Sequence, residues 1–165
     1  MRLAMVLIPI GIREDYDLTF RFYEKKLRII PCDKTLLHWR DYDNRTSRTS
    51  EHYAQNYFLD IKLHYFLKLD YDPKRSLVIR GAGFKGKKIA KSLKNKNIAF
   101  SWICDNPKKI GKEIYGKTLQ PFQELDTIEN SQSIVTVANE RAQKEIKNYF
   151  KKRHLQPMTD YFFFC

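Results

Sequence analysis

The sequence predicts an α/β protein: a mostly parallel open sheet preceded by a helical segment. Three observations carry that prediction. From Ser76 onward, short apolar runs alternate with helix-like runs, the pattern of strand–helix–strand units. The first apolar run, SLVIR, leads into GAGFKG, where Gly81, Gly83 and Gly86 are spaced as G-x-G-x-x-G ahead of a helix-like stretch, as a strand turns tightly into a helix. The 165 residues are 42% hydrophobic and 14% aromatic, enough for a packed core and unlike a disordered chain.

The opening MRLAMVLIPIGI holds an apolar run of about ten residues, short for a membrane span. No small-residue cleavage site of the kind that ends a signal peptide follows it. DYDLTFRFYEKKLRII reads as a short helix, acidic at its start and basic toward its end, which suits the helix dipole. TLLHWR, residues 35–40, reads as a short strand, and DYDNRTSRTS as a loop. Ser50 is placed to cap a long helix over residues 51–69. Ala54, Tyr57, Phe58, Ile61 and Tyr65 follow three-to-four spacing there, and Tyr53, Leu63, Phe66, Leu67 and Leu69 widen the stripe. Such a helix packs inside the protein or forms a homodimer seam; with Lys62 and Lys68 it also suits peripheral contact with a membrane surface. DYDPKRS, residues 70–76, marks a division, so the expected parts are residues 1–50, 51–75 and 76–165.

In the last part SLVIR is a strand and KGKKIAKSLKNK a helix. NIAFSWICD is a strand ending at Asp105. NPKKIGKEIYGKTLQP is a loop with a short strand near residues 117–119. QSIVTVAN is an apolar strand, ERAQKEIKNYFKKRH a helix and DYFFFC a last strand.

The chain has 31 Lys and Arg against 19 Asp and Glu, a net charge of +12. That balance favours anionic partners, or simply makes a solvated lysine-rich surface. The lysines are spread over both halves without a basic stripe interleaved with aromatics, which disfavours nucleic acid. Cys32, Cys104 and Cys165 form no C-x-x-C pair. A zinc or disulfide framework is therefore not expected, and a reducing, cytoplasmic setting is.

The glycine turn is the candidate binding site of a Rossmann-like domain. Gly81 permits the tight turn, Gly83 lets the backbone approach a phosphate, and Gly86 lets helix pack on strand. Phe84 and Lys85 open the helix, and Lys87 and Lys88 add positive charge. Asp105 follows Gly86 by 19 positions at a strand end, where a carboxylate accepts hydrogen bonds from a ribose diol. Asn139 and Glu140 follow SIVTVAN at the same sheet edge. The expected ligand is a nucleotide or nucleotide-sugar. The alternatives are an NAD(P)-binding protein, or an interaction module with a vestigial pocket. Hydride transfer is disfavoured: His154 is the one histidine in residues 76–165, and no Y-x-x-x-K occurs there.

GAGFKGKKIAKSL…FSWICDNPKKIGKEIYGKTLQPFQEL…IVTVAN is similar to a Rossmann-like module at the C-terminus of some bacterial family 2 glycosyltransferases. It also resembles the nucleotide-sugar-binding domain of bacterial sugar O-acyltransferases. REDYDLTFRFYEKKLRIIPCDKTLLHWRDYDNRTSRTS resembles the end of a family 2 catalytic domain, where an E-D-x-D/E-L motif opens a helix. The resemblance implies that Asp15 is a general base with Glu14 beside it, and that His38 and Arg40 lie near the nucleotide diphosphate. It implies a role in polysaccharide assembly at the inner membrane face, and Mn or Mg in a complete enzyme. Only residues 1–13 precede Glu14, and none of the Asp-Tyr-Asp triplets at 15–17, 41–43 and 70–72 follows the early strands a metal site needs. The expectation is a C-terminal fragment that binds a nucleotide without transferring sugar by itself.

Overall fold

The computed structural model describes residues 14–38, 40, 42–44 and 57–164. The chain forms two compact units, Met1–Ile61 and Lys62–Cys165.

In the first unit, helix α1 spans Glu14–Glu24, so the EDYDL motif does open a helix. Asp17 and Arg21, one turn apart, form an ion pair at 2.6 Å, and the Tyr16 ring lies 4.2 Å from that of Phe58. Lys26 adopts a left-handed conformation (φ 51°). It closes the helix with bonds from Lys26 N to Tyr23 O and from Leu27 N to Phe22 O, a Schellman motif. The strand expected at residues 35–40 is absent: residues 35–38 and 40 are irregular. Leu36 and Leu37 are 80% and 72% exposed, with no ladder partner among the described residues. A β-prone run becomes a strand only where a neighbour takes up its backbone groups. Ser50 and the first turns of the expected long helix lie outside the described residues.

Helix α2, Tyr57–Tyr65, continues into a π-helical turn, Phe66–Asp70. Leu59, Ile61, Leu63, Tyr65 and Phe66 are all buried. Phe66 meets Phe162 edge-on at 4.8 Å and Phe164 at 6.0 Å. Packing within the chain thus accounts for much of the apolar stripe.

The second unit holds the sheet: β1 Ser76–Arg80, β2 Ser101–Cys104, β5 Gln120–Pro121, β6 Ser131–Val135 and β7 Tyr161–Phe163, in the order β5-β2-β1-β6-β7. Every pairing in it is parallel, with Arg80 opposite Ile103 on one side and Val135 on the other. Helix α3, Phe84–Asn95, connects β1 to β2, and α4, Glu140–Lys152, connects β6 to β7. Where a single short strand is expected near residues 117–119, the chain makes a hairpin, β3 Glu113–Ile114 and β4 Lys117–Thr118, before β5. Tyr115 and Gly116 turn it with φ of 56° and 77°, as a two-residue hairpin loop requires.

Alternation along β1 sends Val78 to one face of the sheet and Leu77 and Ile79 to the other. Val78, Ile103, Val135, Ile146, Phe150 and Tyr161 form one core cluster, with the Phe150 ring stacked on Tyr161 at 4.3 Å. Ile89, Ala90 and Leu93 of α3 are buried as well. A 3₁₀ turn, Phe122–Asp126, follows β5. In order of appearance the sheet's strands run third, second, first, fourth, fifth, so the chain reverses direction across the sheet between β1 and β6. In open α/β sheets ligands bind at the carboxyl ends of the strands beside such a reversal.

Candidate functional site

The glycine turn lies at that point. Gly81 has φ 116°, and a Cβ there would lie 2.7 Å from Thr136 Oγ1. At Gly86 a Cβ would lie 2.0 Å from the carbonyl oxygen of Gly81. The fold therefore demands both glycines, one for the turn and one for helix-to-turn contact. Gly83 differs. A Cβ there meets nothing within 4 Å, and its backbone (φ −78°, ψ −171°) suits any residue.

Gly83 is the N-cap of α3 and offers no side-chain cap. Its carbonyl accepts from Lys87 N at 3.0 Å. The amides of Phe84, Lys85 and Gly86 have no partner within the helix, as in any first turn. They sit at the positive end of the helix dipole, a ready anion site. Phe84 is 69% exposed.

The turn is held from three sides. Trp102 Nε1 of β2 donates to Gly81 O at 2.9 Å, Thr136 Oγ1 to Arg80 O at 3.1 Å, and Lys109 Nζ to Ala82 O at 2.8 Å. The Lys109 contact puts an ammonium next to the turn that leads into α3. Sequence reasoning passed over Thr136, Trp102 and Lys109, because their roles depend on strand pairing and loop path.

Asp105 stands just past β2, its side chain 46% exposed. Its Oδ1 accepts from Arg80 Nη2 at 3.3 Å. Arg80 ends β1 with its side chain only 5% exposed, where a strand of this kind would carry an apolar residue. Its guanidinium lies 5.0 Å from the ring centroid of Phe122, 5.3 Å from Tyr149 and 5.9 Å from Phe150. Burial pulls the arginine's pKa below its ordinary value, while Asp105 and Tyr149 oppose that shift. Burial raises the Tyr149 phenol, with Arg80 opposing.

Asn139 is the N-cap of α4: its side chain accepts from Ala142 N at 2.9 Å, so the structure gives it a capping task. His38 and Arg40 are exposed in the first unit. Glu14 and Asp15 begin α1, and their side chains lie outside the described residues. His154 is exposed beyond the end of α4. Among the described residues no group of three or more His, Cys, Asp or Glu is placed to hold a metal ion. The divalent cation implied for a complete enzyme thus has no ligand set there. No described helix is long and apolar enough to cross a membrane.

Strand order and glycine turn together define a Rossmann-like α/β fold. No protein-family model matches the sequence, and comparison with curated proteins finds no relative. Among solved structures, the chain is similar to UDP-D-quinovosamine 4-dehydrogenase from Vibrio fischeri, with 24% identity over 50% of this chain and 74% of that one, at a TM-score of 0.42. It is also similar to RSP in complex with beta-NADH, with 16% identity over 64% and 53% of the two chains and a TM-score of 0.45. A further structure of RSP, a Rex-family repressor, shows 12% identity over 99% and 82%, with a TM-score of 0.43. At such identity and overlap these likenesses add nothing to the geometry described above.

Proposed function

We propose that the chain binds a nucleotide or nucleotide-sugar, its diphosphate on the N-terminus of α3 and its ribose toward Asp105. The observation that carries this reading is Gly83. Packing explains its two companions, whereas at Gly83 the fold leaves open space and an uncapped helix start. A side chain there would obstruct a ligand and nothing else. Lys109 adds a cation at the same place, and the charge of +12 favours an anionic ligand. NAD(H) offers the same diphosphate and ribose, so the geometry serves it equally.

The test is a thermal-shift panel with UDP, GDP, UDP-sugars, NAD and NADP. A ligand at a hundred times its dissociation constant adds about 2.7 kcal/mol, several degrees for a domain of this size. The expected result is a shift in the parent that disappears in Gly83→Val, whose own melting temperature falls only by the small cost of a poorer N-cap, since a Cβ there meets nothing within 4 Å. No shift with any of these ligands overturns the reading.

The proposed origin is the C-terminal part of a family 2 glycosyltransferase. The EDYDL motif opening α1 supports it, with Asp15 as the ancestral base beside Glu14, and His38 and Arg40 toward the diphosphate. Binding is the activity proposed for this chain; turnover of a UDP-sugar by it would show the proposal to be too narrow.

A further inference from the structure

Arg80 is the group that nucleotide binding, as described so far, leaves without a purpose. Its Nε and Nη1 are buried and make no hydrogen bond among the described residues, and its ion pair there is with a carboxylate nearly half exposed. Replacing a buried ion pair by apolar residues is often neutral or stabilising, and here the partner carboxylate, nearly half exposed, keeps its water if the arginine alone is replaced. Phe122 and Phe150 already make the surroundings apolar. Stability alone therefore does not account for an arginine here.

Its geometry does. Three rings surround the guanidinium, and cation–π attraction holds it in place. Tyr149 is in turn fixed by a hydrogen bond from its hydroxyl to Asp126, which also pairs with Arg153. A side chain so confined cannot follow Asp105; Asp105 must come to it. With Oδ1 taken by Arg80 Nη2, the carboxylate keeps Oδ2 for a second donor. Its negative charge is also offset, so that it does not repel a neighbouring diphosphate.

We propose that Arg80 is a positioning residue of the nucleotide site, pinning one oxygen of Asp105 so that the other accepts a hydrogen bond from the ribose 2′-hydroxyl. The inference rests on the nucleotide reading above and names the group that gives the site its preference for ribose.

The experiment measures dissociation constants for UDP and NAD, each against its 2′-deoxyribose analogue, in the parent, Arg80→Met, Arg80→Lys and Asp105→Asn. The parent prefers the ribose form about tenfold, the scale of one hydrogen bond to a charged group. In Arg80→Met and Asp105→Asn that preference falls to about one, while Arg80→Met melts no lower than the parent, as the apolar surroundings predict. A purely structural arginine would shift stability and leave the ribose preference intact. Should the methionine variant not fold, the lysine variant decides in its place. Its single ammonium cannot reproduce the fork, and a ribose preference cut at least threefold supports the proposal. A folded Met or Lys variant with the parent's ribose preference overturns it. A parent that binds neither UDP nor NAD overturns the nucleotide reading itself; a parent that binds either, but without a ribose preference or with arginine variants that keep it, overturns only this inference.

Discussion

The two helices that follow β1 and β6 begin at the same edge of the sheet, yet their first turns are finished differently. Helix α4 starts behind Asn139, which bonds Ala142 N, and Gln143 Nε2 reaches back to Val137 O at 3.0 Å. One of its first-turn donors is therefore met within the protein. Helix α3 starts behind a glycine with no side chain to offer. An N-cap side chain is worth only a few tenths of a kcal/mol over glycine, so the fold has forgone a small stability at one helix that it has taken at the other. The contrast marks where a ligand's anion can serve as the missing cap.

The opposite edge of the sheet teaches the same lesson. A cleft of about 370 Å³ lies there, lined by Arg75, Asp126, Arg153 and Asp160 among others. Its two arginines are paired with carboxylates. Arg75 Nη2 donates to Asp160 Oδ1 at 2.6 Å and to Ser131 O at 2.5 Å, and Arg153 pairs with Asp126.

Four changes break or sharpen the comparison. The largest effect belongs to Gly86→Val, which drives a side chain into the Gly81 carbonyl. Loss of about 3 kcal/mol or more is expected by chemical denaturation, with nucleotide binding lost alongside. Next is Gly83→Asp, which gives α3 the cap that α4 has. Stability rises by a few tenths of a kcal/mol, while UDP affinity drops at least tenfold, about 1.4 kcal/mol, by calorimetry. Asn139→Ala makes the reverse exchange: about 1 kcal/mol of stability lost, with UDP affinity unchanged. If that variant instead loses nucleotide and keeps its stability, the two helix starts have been assigned the wrong way round. The smallest effect is on pH dependence. The Tyr149 phenol is raised above its ordinary value of 10.0, chiefly by burial. The folded state therefore holds that proton more tightly than the unfolded state does. This contribution is whole below pH 10 or so and fades as pH climbs through the folded value. Unfolding midpoints compared from about pH 9 to pH 11 should fall less steeply in Tyr149→Phe.

Much of the second unit was legible because its elements obey strong periods. SLVIR, IAFSWIC and SIVTVA are short, largely apolar runs, and ERAQKEIKNYFKK alternates faces at helical spacing. The glycine spacing gave the turn and its place in the chain. Asn139 before a helical run was readable as a cap, yet its position at a strand end drew the ligand reading first. The β3–β4 hairpin escaped because its strands have two residues each and face solvent, leaving no alternation to detect. The run at residues 35–38 misled for the opposite reason: β-prone side chains were present, and among the described residues a partner strand was not. The pairing of Arg80 with Asp105 spans 25 positions, and no local pattern encodes it. Arg80 betrayed itself only as a charge in an apolar run.

One detail of the sheet bears on how the protein behaves at high concentration. A parallel sheet with long bare margins invites other chains to add strands to it. Here β5, at one margin, is two residues long and includes Pro121, which has no amide hydrogen to donate. At the other margin β7 has three residues. Both borders are thus too short, and one is too poor in donors, to template cross-β growth.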